Sequence, residues 1–509
     1  DAAEASKLGL IQPPGETGPV DVTLEAYADR QQRPISPLIY GTAFPAEPAQ
    51  QRWGLVRSGG NRLTAYNWEN NASNAGSDWQ YQNDSVVHTS DVPALPLLSA
   101  IDIGISTNAT TLITLSLADY VAADKNGGGD VRNSGPNYLA TRFKRNHAKK
   151  PTPFAETPDV TDADVYQDEL VAFLRKNRPH AKIIFSMDNE PDLWAHTHAE
   201  IFPKPVTYAD LWKRNLEFAK AAKEAWPGVE VLGFVSYGYQ GYVSLQNAPD
   251  NGGRNFLDWY LEQARAAEKQ EGKRLIDYLD LHWYPEAQGG GQRIVSDLVT
   301  PEVVAARVQA PRSLWDRSYD EVSWVRDAHG GPLKLIPWVQ EKIKAHYPGT
   351  KLSFSEWNYG GGGHISGGVA VADVLGVFGR WGVDAASYWG TEPFSAAAFR
   401  VFRNYDGQGG AFGDISVGTK TTDVASATIY ASIDSKDVSR TTLVVINKSP
   451  SPKTAGIRLS HSSIYKQAAV YVLAGADPII QKSASLAPVG TNAFKYDMPP
   501  LSVSLIVPQ

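Results

Sequence analysis

Two glutamates stand out by where they sit. Glu190 lies in "IIFSMDNEPDLW", residues 183–194, where the apolar Ile183, Ile184 and Phe185 run into Asp188, Asn189, Glu190, Pro191 and Asp192. Glu356 lies in "KLSFSEWNYGG", residues 351–361, where Leu352 and Phe354 lead to Glu356 beside Trp357. An apolar strand that ends in acids holds those acids in place. Two carboxylates at opposing strand ends, among aromatics and amides, supply what cleavage of a glycosidic bond requires. One protonates the leaving oxygen, and the other stabilises or attacks the cationic sugar carbon. "HWYP", residues 282–285, and "YWG", residues 388–390, bring aromatics to two further strand ends, which favours one shared site over two unrelated surface acids.

Eight segments read as strands that could carry such a site: "LIYGTAF" from Leu38, "GLVRSGG" from Gly54, "TLITLSL" from Thr111, "KIIFSMD" from Lys182, "EVLGFVSY" from Glu230, "YLDLHWYP" from Tyr278, "KLSFSEW" from Lys351 and "AASYWG" from Ala385. Several are continuous apolar runs, the mark of strands buried on both faces of a parallel sheet. Amphipathic segments separate them. "TDADVYQDELVAFLRKNR" places Tyr166, Leu170, Phe173 and Leu174 at helical spacing and opens with Thr161 and Asp164, a capping-box pattern. "TYADLWKRNLEFAKAAKEAW" repeats the device with Thr207 and Asp210, and "NFLDWYLEQARAAEKQ" and "GVAVADVLGVFGRWG" add two more helices. The pattern predicts an α/β fold, a TIM-like (β/α)8 barrel. Strands 4 and 7 then deliver Glu190 and Glu356 to the face where such barrels do chemistry, and Arg62, near the end of strand 2, is a cation expected to keep Glu356 charged.

All 14 Trp lie between Trp53 and Trp389, and past residue 399 the texture changes to short β-branched runs such as "RTTLVVINKS" and "PLSVSLIVPQ". That is the signature of an accessory antiparallel β-sandwich domain. "PVDVTLEAY", residues 19–27, alternates in the same way and is expected to join it. The predicted division is a barrel over 34–398 and a discontinuous sandwich over 1–33 and 399–509.

Composition narrows the function. The chain has no cysteine, which excludes disulfides and thiolate chemistry, and a net charge of −7, which argues against a nucleic-acid surface. No apolar run approaches the roughly 18 residues that cross a bilayer. The chain starts at Asp1 without a basic-then-apolar leader, and the expectation is a mature secreted, extracellular protein, acting as a monomer. The basic run "RFKRNHAKK", residues 142–150, reads as a solvated loop. "HTH", His196 and His198, has metal-ligand spacing but no second His pair at a strand end. "GGGGH", residues 360–364, lacks a phosphate-loop ending and reads as a flexible loop that lets a long polymer reach Glu356. "NGGGD", residues 126–130, and "TPDVTDAD", residues 157–164, offer oxygen ligands to a structural calcium ion.

The blocks "SGGNRLTAYNWENNASNAGSDW" (residues 58–79), "DNEPDLW" and "FSEWNYGGG" resemble glycoside hydrolase family 44, and the element order matches along nearly the whole chain. The resemblance implies a retaining barrel glycosidase that cuts internal β-1,4 bonds of cellulose-type polysaccharides and needs no cofactor for catalysis. It implies Glu190 as general acid/base and Glu356 as nucleophile. It also implies Asn189 on the sugar 2-hydroxyl, Tyr284 bonded to the nucleophile, His282 on the same wall, Trp389 as the platform at the cleaved bond, and Trp68, Trp194 and Trp324 extending the cleft. The resulting expectation is a secreted endo-β-1,4-glucanase. The rivals are the same mechanism on xyloglucan, glucomannan, mannan or lichenan, a carbohydrate-binding protein without turnover, and a metal-dependent barrel hydrolase.

Overall fold

The computed structural model describes residues 8–46 and 48–509. Eight short parallel strands close into a barrel in chain order: β1 Gly41–Thr42, β2 Leu55–Ser58, β3 Thr110–Leu115, β4 Ile183–Met187, β5 Glu230–Ser236, β6 Tyr278–Trp283, β7 Lys351–Trp357 and β8 Ala385–Tyr388. Seven of the eight fall within the segments read as strands, and β3 starts one residue earlier, at Thr110. Nearly every residue of β2 to β8 is buried, because one face of each strand fills the barrel and the other meets the surrounding helices. Leu55, Leu112, Ile184, Leu232 and Ala385 form a small core plug of their own inside the barrel.

The helices form where apolar spacing and caps agree. Thr207 caps Tyr208–Ala225 as expected, its hydroxyl accepting from the Asp210 N–H at 3.0 Å. Asn255 does the same for Phe256–Glu271. The expected cap at Thr161 and Asp164 is a correction. Asp164–Tyr166 is a strand pairing in parallel with Phe143–His147, and the helix starts only at Gln167. Asp164 is held extended because its carboxylate bonds Arg145 at 3.0 Å and His147 at 2.7 Å. Residues 142–150 are therefore not a solvated loop. They contain the middle strand of a three-stranded sheet, and Arg142, Lys144, Arg145, Lys149 and Lys150 each pair with an acid.

After β8 the chain makes the helix Pro393–Arg403, which spans the expected division at 398/399, and the next sheet strand begins at Ile415. The C-terminal strands build one 11-stranded sheet. Val22–Tyr27 sits inside it, antiparallel to Ile415–Thr421 and parallel to Lys453–Ser460. The sheet doubles over so that its two halves share a core of Leu24, Ile429, Leu443, Ile457, Phe494 and Ile506. The two layers of the expected sandwich are thus one continuous sheet, joined at Val22–Tyr27. Of the N-terminal part of this unit, residues 1–7 lie outside the described residues.

Candidate active site

The acids crowded after β4 divide into anchors and a reactive group. Asp188 is fully buried and accepts from the Thr64 hydroxyl at 2.6 Å, from the Asn189 N–H at 2.7 Å and from the Leu117 N–H, which ties the end of β4 to the segments after β2 and β3. Asp192 accepts from the Tyr237 N–H at 3.1 Å and the Ser236 hydroxyl at 3.2 Å, fixing the turn after β5. Burial pushes its carboxyl up to about 7. Between them, Glu190 sends its side chain, 15 % exposed, into the cleft. The backbone is strained to do this. Asp188, Glu190 and Val235 have φ of 67°, 42° and 65°, a region non-glycine residues rarely occupy, and the Glu190 N–H donates to the Val235 carbonyl at 2.9 Å.

Glu356 arrives from β7. Strand register sets His282 of β6 directly beside it. Arg57 of β2 reaches across the barrel mouth, with Nη1 donating to Glu356 Oε1 at 2.7 Å and Nη2 to Asn189 Oδ1 at 2.8 Å. Tyr284 donates to Glu356 Oε2 at 2.7 Å. His282 Nδ1 lies 2.8 Å from Glu190 Oε1 and 3.6 Å from Glu356 Oε2. One carboxylate oxygen of each glutamate and a ring nitrogen of His282 all lie within 4.8 Å of one another. The two glycines of "SGGN" make this possible. A Cβ on Gly59 would strike the Arg57 guanidinium at 2.6 Å, and one on Gly60, at φ 97°, would strike the Trp389 ring at 2.6 Å.

The surroundings push the two carboxyls apart. Burial would raise Glu356, but the charges of His282 and then Arg57, with the hydrogen bond from Tyr284, hold it below the ordinary carboxylate range. Burial raises Glu190, and the negative Glu356 adds to the effect against the opposing pull of His282. A site with one acid kept protonated and one kept ionised, both at the same opening, is equipped to donate a proton and attack a carbon in one step.

Of the residues predicted from the sequence, Glu190, Glu356, Asn189 and Tyr284 converge at this mouth. Trp389 stands over it, within 5.7 Å of the Arg57 guanidinium and edge-on to Phe44 at 4.9 Å. Trp324 is 46 % exposed and shares a groove with Tyr237, Tyr284 and Arg293. Three predicted contacts are corrected. Trp68 is fully buried, packs on Phe173 and donates to the Tyr166 carbonyl at 3.2 Å. Trp194 is fully buried and donates to the Asn189 carbonyl at 3.2 Å, so it braces the acid loop from behind. His282 is fully buried beneath Glu190, where it bonds the acid and offers no wall to a ligand.

Arg62 is also a correction. It sits in the turn Asn61–Ala65 and pairs with Asp84, while Arg57, overlooked in the sequence, holds Glu356. Its signal was a lone cation inside an apolar strand, which demands a buried anion. "HTH" is not a metal pair. His196 is exposed, and both ring nitrogens of His198 are spent on Glu200 and the Asn61 carbonyl. "GGGGH" is clamped and not a loose loop. Gly361 donates to the Ser296 carbonyl and lies against buried Arg307, and His364 caps the helix Ile365–Trp381. The calcium expectation meets the chain's own cations. Asp130 is taken by Arg132, and in residues 157–164 the Asp159 carbonyl and Asp162 Oδ1 converge with Glu69 on the Lys144 ammonium, at 3.4, 3.4 and 2.8 Å. Among the described residues, the single group of three potential metal ligands is Glu190, His282 and Glu356.

Comparison with known proteins agrees with this geometry. The model of glycoside hydrolase family 44 matches residues 72–287. The chain is 40 % identical to Endoglucanase A of Paenibacillus lautus, over 96 % of this chain and 72 % of that one. It is 39 % identical to Beta-mannanase/endoglucanase A of Caldicellulosiruptor saccharolyticus, over 94 % of this chain but 38 % of that larger protein. The fold superposes with a TM-score of 0.92 on a family 44 xyloglucanase of Paenibacillus polymyxa solved with xyloglucan, at 38 % identity, covering 96 % of this chain and 99 % of that one.

Proposed function

Because the chain belongs to glycoside hydrolase family 44 and is a glycoside hydrolase, we propose that it is a secreted, retaining endo-β-1,4-glucanase. Glu190 is its acid/base and Glu356 its nucleophile. The observation that carries this reading is the approach of the two carboxylates, with oxygens within 4.8 Å. Retaining enzymes hold their carboxyls about 5–5.5 Å apart, whereas inverting ones leave about 6.5–9.5 Å for a water.

In the first step Glu356 forms a bond to the anomeric carbon as the bond to the leaving oxygen breaks, and Glu190 gives that oxygen its proton. Arg57 and Tyr284 hold the two oxygens of Glu356 in plane, and each oxygen keeps a second lone pair for the attack. Asn189, its carbonyl oxygen taken by Arg57, has its amide nitrogen free to donate to the sugar 2-hydroxyl. In the second step Glu190 takes a proton from water, the hydroxide attacks the same carbon, and Glu356 leaves. Two inversions give net retention. Proton NMR of the earliest products tests this, with a β-anomer expected first. An initial α-anomer would mean direct attack by water and would remove Glu356 as nucleophile.

Catalysis needs no cofactor, as in the family at large. The relatives named for endoglucanase, mannanase and xyloglucanase activity support a β-linked polysaccharide as substrate. The preferred polymer on this reading is a cellulose-type glucan, with xyloglucan, glucomannan or mannan as the alternative on the same machinery. Product sizing on a polysaccharide panel decides between them. Secretion follows from the substrate, since a long polymer does not cross a membrane and the enzyme must meet it outside. Among the described residues no helix is long and apolar enough to span a membrane. The complete cleft lies within one chain, which suits a monomer, and light scattering at working concentration tests that.

A further inference from the structure

Beneath Glu190 runs a line of buried groups that the mechanism above does not use. His282 Nδ1 faces Glu190 Oε1 at 2.8 Å, and its other nitrogen, Nε2, lies 3.1 Å from the Ser355 hydroxyl. Ser355 in turn donates to Asp280 Oδ2 at 2.5 Å, while the Ser355 N–H donates to Asp280 Oδ1 at 2.9 Å. His282, Ser355 and Asp280 are all fully buried. Asp280 and His282 come from β6 and Ser355 from β7, one residue before Glu356.

We propose that Ser355 and Asp280 are positioning residues that lock His282 as its Nε2–H tautomer, so that His282 and Glu190 hold a single shared proton between them. The argument is one of donors and acceptors. Asp280, taking two hydrogen bonds from Ser355, acts as acceptor. The Ser355 hydroxyl spends its one proton on Asp280, so toward His282 it offers only a lone pair, and Nε2 must carry the hydrogen. Nδ1 then confronts Glu190 as a lone pair. The contact at 2.8 Å is favourable only when a proton lies in it, either on Glu190 or on Nδ1.

The consequence serves both steps. Before the first, loss of the shared proton would leave a carboxylate facing a lone pair, so the pair keeps its proton to higher pH and Glu190 arrives as an acid. When that proton has passed to the leaving oxygen, the same unfavourable contact makes Glu190 a stronger base, and the attacking water restores the proton. The upward displacement of both Glu190 and His282 agrees with this. Burial, opposed by His282 and aided by Glu356, raises the first, and for the second the nearby Glu356 and Glu190 outweigh burial. The other charged or titratable groups facing the pair are Arg57 from β2, Glu356 from β7, Tyr284 after β6, Asp192 and Tyr237 at the ends of β4 and β5, Tyr242, which donates to the His282 carbonyl, and Asp280 itself, whose carboxyl burial pushes up against the pull of His282 and the bonds from Ser355. None of them contacts Nε2, so the tautomer is set by Ser355.

The proposal rests on Glu190 as acid/base, and its test separates the two. Nitrogen-15 NMR of the intact enzyme, with the His282 signals identified by their loss in His282→Gln, is expected to show a protonated Nε2. Ser355→Ala removes the lock and lets the Nδ1–H form donate to ionised Glu190. That variant is expected to switch the tautomer and move the alkaline limb of kcat/KM down by about one pH unit, with Ser355→Thr restoring both. A neutral Nδ1–H ring in the wild type, or a Ser355→Ala enzyme with unmoved tautomer and limb, overturns the proposal. Should Ser355→Ala not fold, the wild-type spectrum alone decides. Failure of the acid/base reading would look different: Glu190→Ala would keep its activity on poor leaving groups, and azide would not rescue it on good ones.

Discussion

Two of the buried charge clusters among the described residues differ in how far they are closed to solvent. Where the barrel meets the folded sheet, Asp373 of the helix Ile365–Trp381 accepts from the Thr428 and Tyr430 hydroxyls on one oxygen and pairs with Lys448 at 2.6 Å on the other. Gly376 lets the Tyr430 ring lie against the helix, where a Cβ would meet it at 2.2 Å. Neither charge is more than 1 % exposed. At the barrel mouth the same elements recur, a buried cation and a buried carboxylate 2.7 Å apart, with a tyrosine on the second oxygen. There the neighbouring Glu190 is bonded on one oxygen only and opens to solvent. A charge cluster sealed from solvent on both partners holds two units together. One with a single oxygen left open can give up a proton.

The largest break in this contrast comes from the nucleophile. Glu356→Gln keeps the shape and the contact to Tyr284 but cannot attack carbon. Turnover should fall by about 10⁴-fold or more, with oligosaccharide binding retained in calorimetry. Near-normal turnover by folded Glu356→Gln would remove it from the chemistry. Asp373→Ala should do the reverse. It strands the Lys448 ammonium in the interface and should cost about 3–5 kcal/mol of stability, read as a lower denaturation midpoint. Specific activity of the folded enzyme should not change, and a loss of kcat would show that the interface cluster reaches the site.

A third test uses pH. Activity should rise as Glu356 ionises and fall as Glu190 loses its proton. Because Glu356 is displaced downward and Glu190 upward, the active window should open below the usual carboxylate range and close above it. Arg57→Gln takes away a cation that stabilises ionised Glu356. Its acidic limb should therefore move up, by about 1–2 units, while the alkaline limb moves less. An unmoved acidic limb would mean that Arg57 contributes little to holding Glu356 down.

The barrel was legible because parallel strands buried on both faces must be continuous apolar runs, and several such runs among eight strand segments, with amphipathic helices between the later ones, leave few alternatives. Glu190 and Glu356 were legible because two strand ends carried acids among aromatics and amides, although only the fold separates the reactive Glu190 from the anchors Asp188 and Asp192. Arg57 was not, since the lone cation in "LVRS" marks the need for a buried anion but not that the anion lies 299 residues away. The Asp159–Asp162 oxygens looked like a cation site and are one, but the cation is Lys144, whose place depends on the pairing of Phe143–His147 with Asp164–Tyr166. Local sequence marks the need for a counter-charge better than it marks who supplies it.

The tryptophans carry the same distinction to its smallest effect. In the sequence Trp68 stood ahead of Trp324 as a residue expected to extend the cleft. In the fold Trp68 is closed on every side, its ring on Phe173 and its N–H on the Tyr166 carbonyl, whereas Trp324 shows nearly half its surface beside Tyr237 and Tyr284. A sugar ring stacks through its C–H face and needs an uncovered aromatic to do so. Trp324→Ala should thus raise KM on long oligosaccharides by about threefold to tenfold, the equivalent of one aromatic contact, with kcat on an activated short substrate unchanged. Trp68→Phe should leave KM alone and lower stability by about 1–3 kcal/mol, from the lost hydrogen bond and the smaller ring. Both are read from the same preparations, by initial rates and by thermal denaturation. If Trp68→Phe raised KM while Trp324→Ala did not, the cleft would run under the β2 segment instead of past β5 and β6, and the open and closed regions would have to be exchanged.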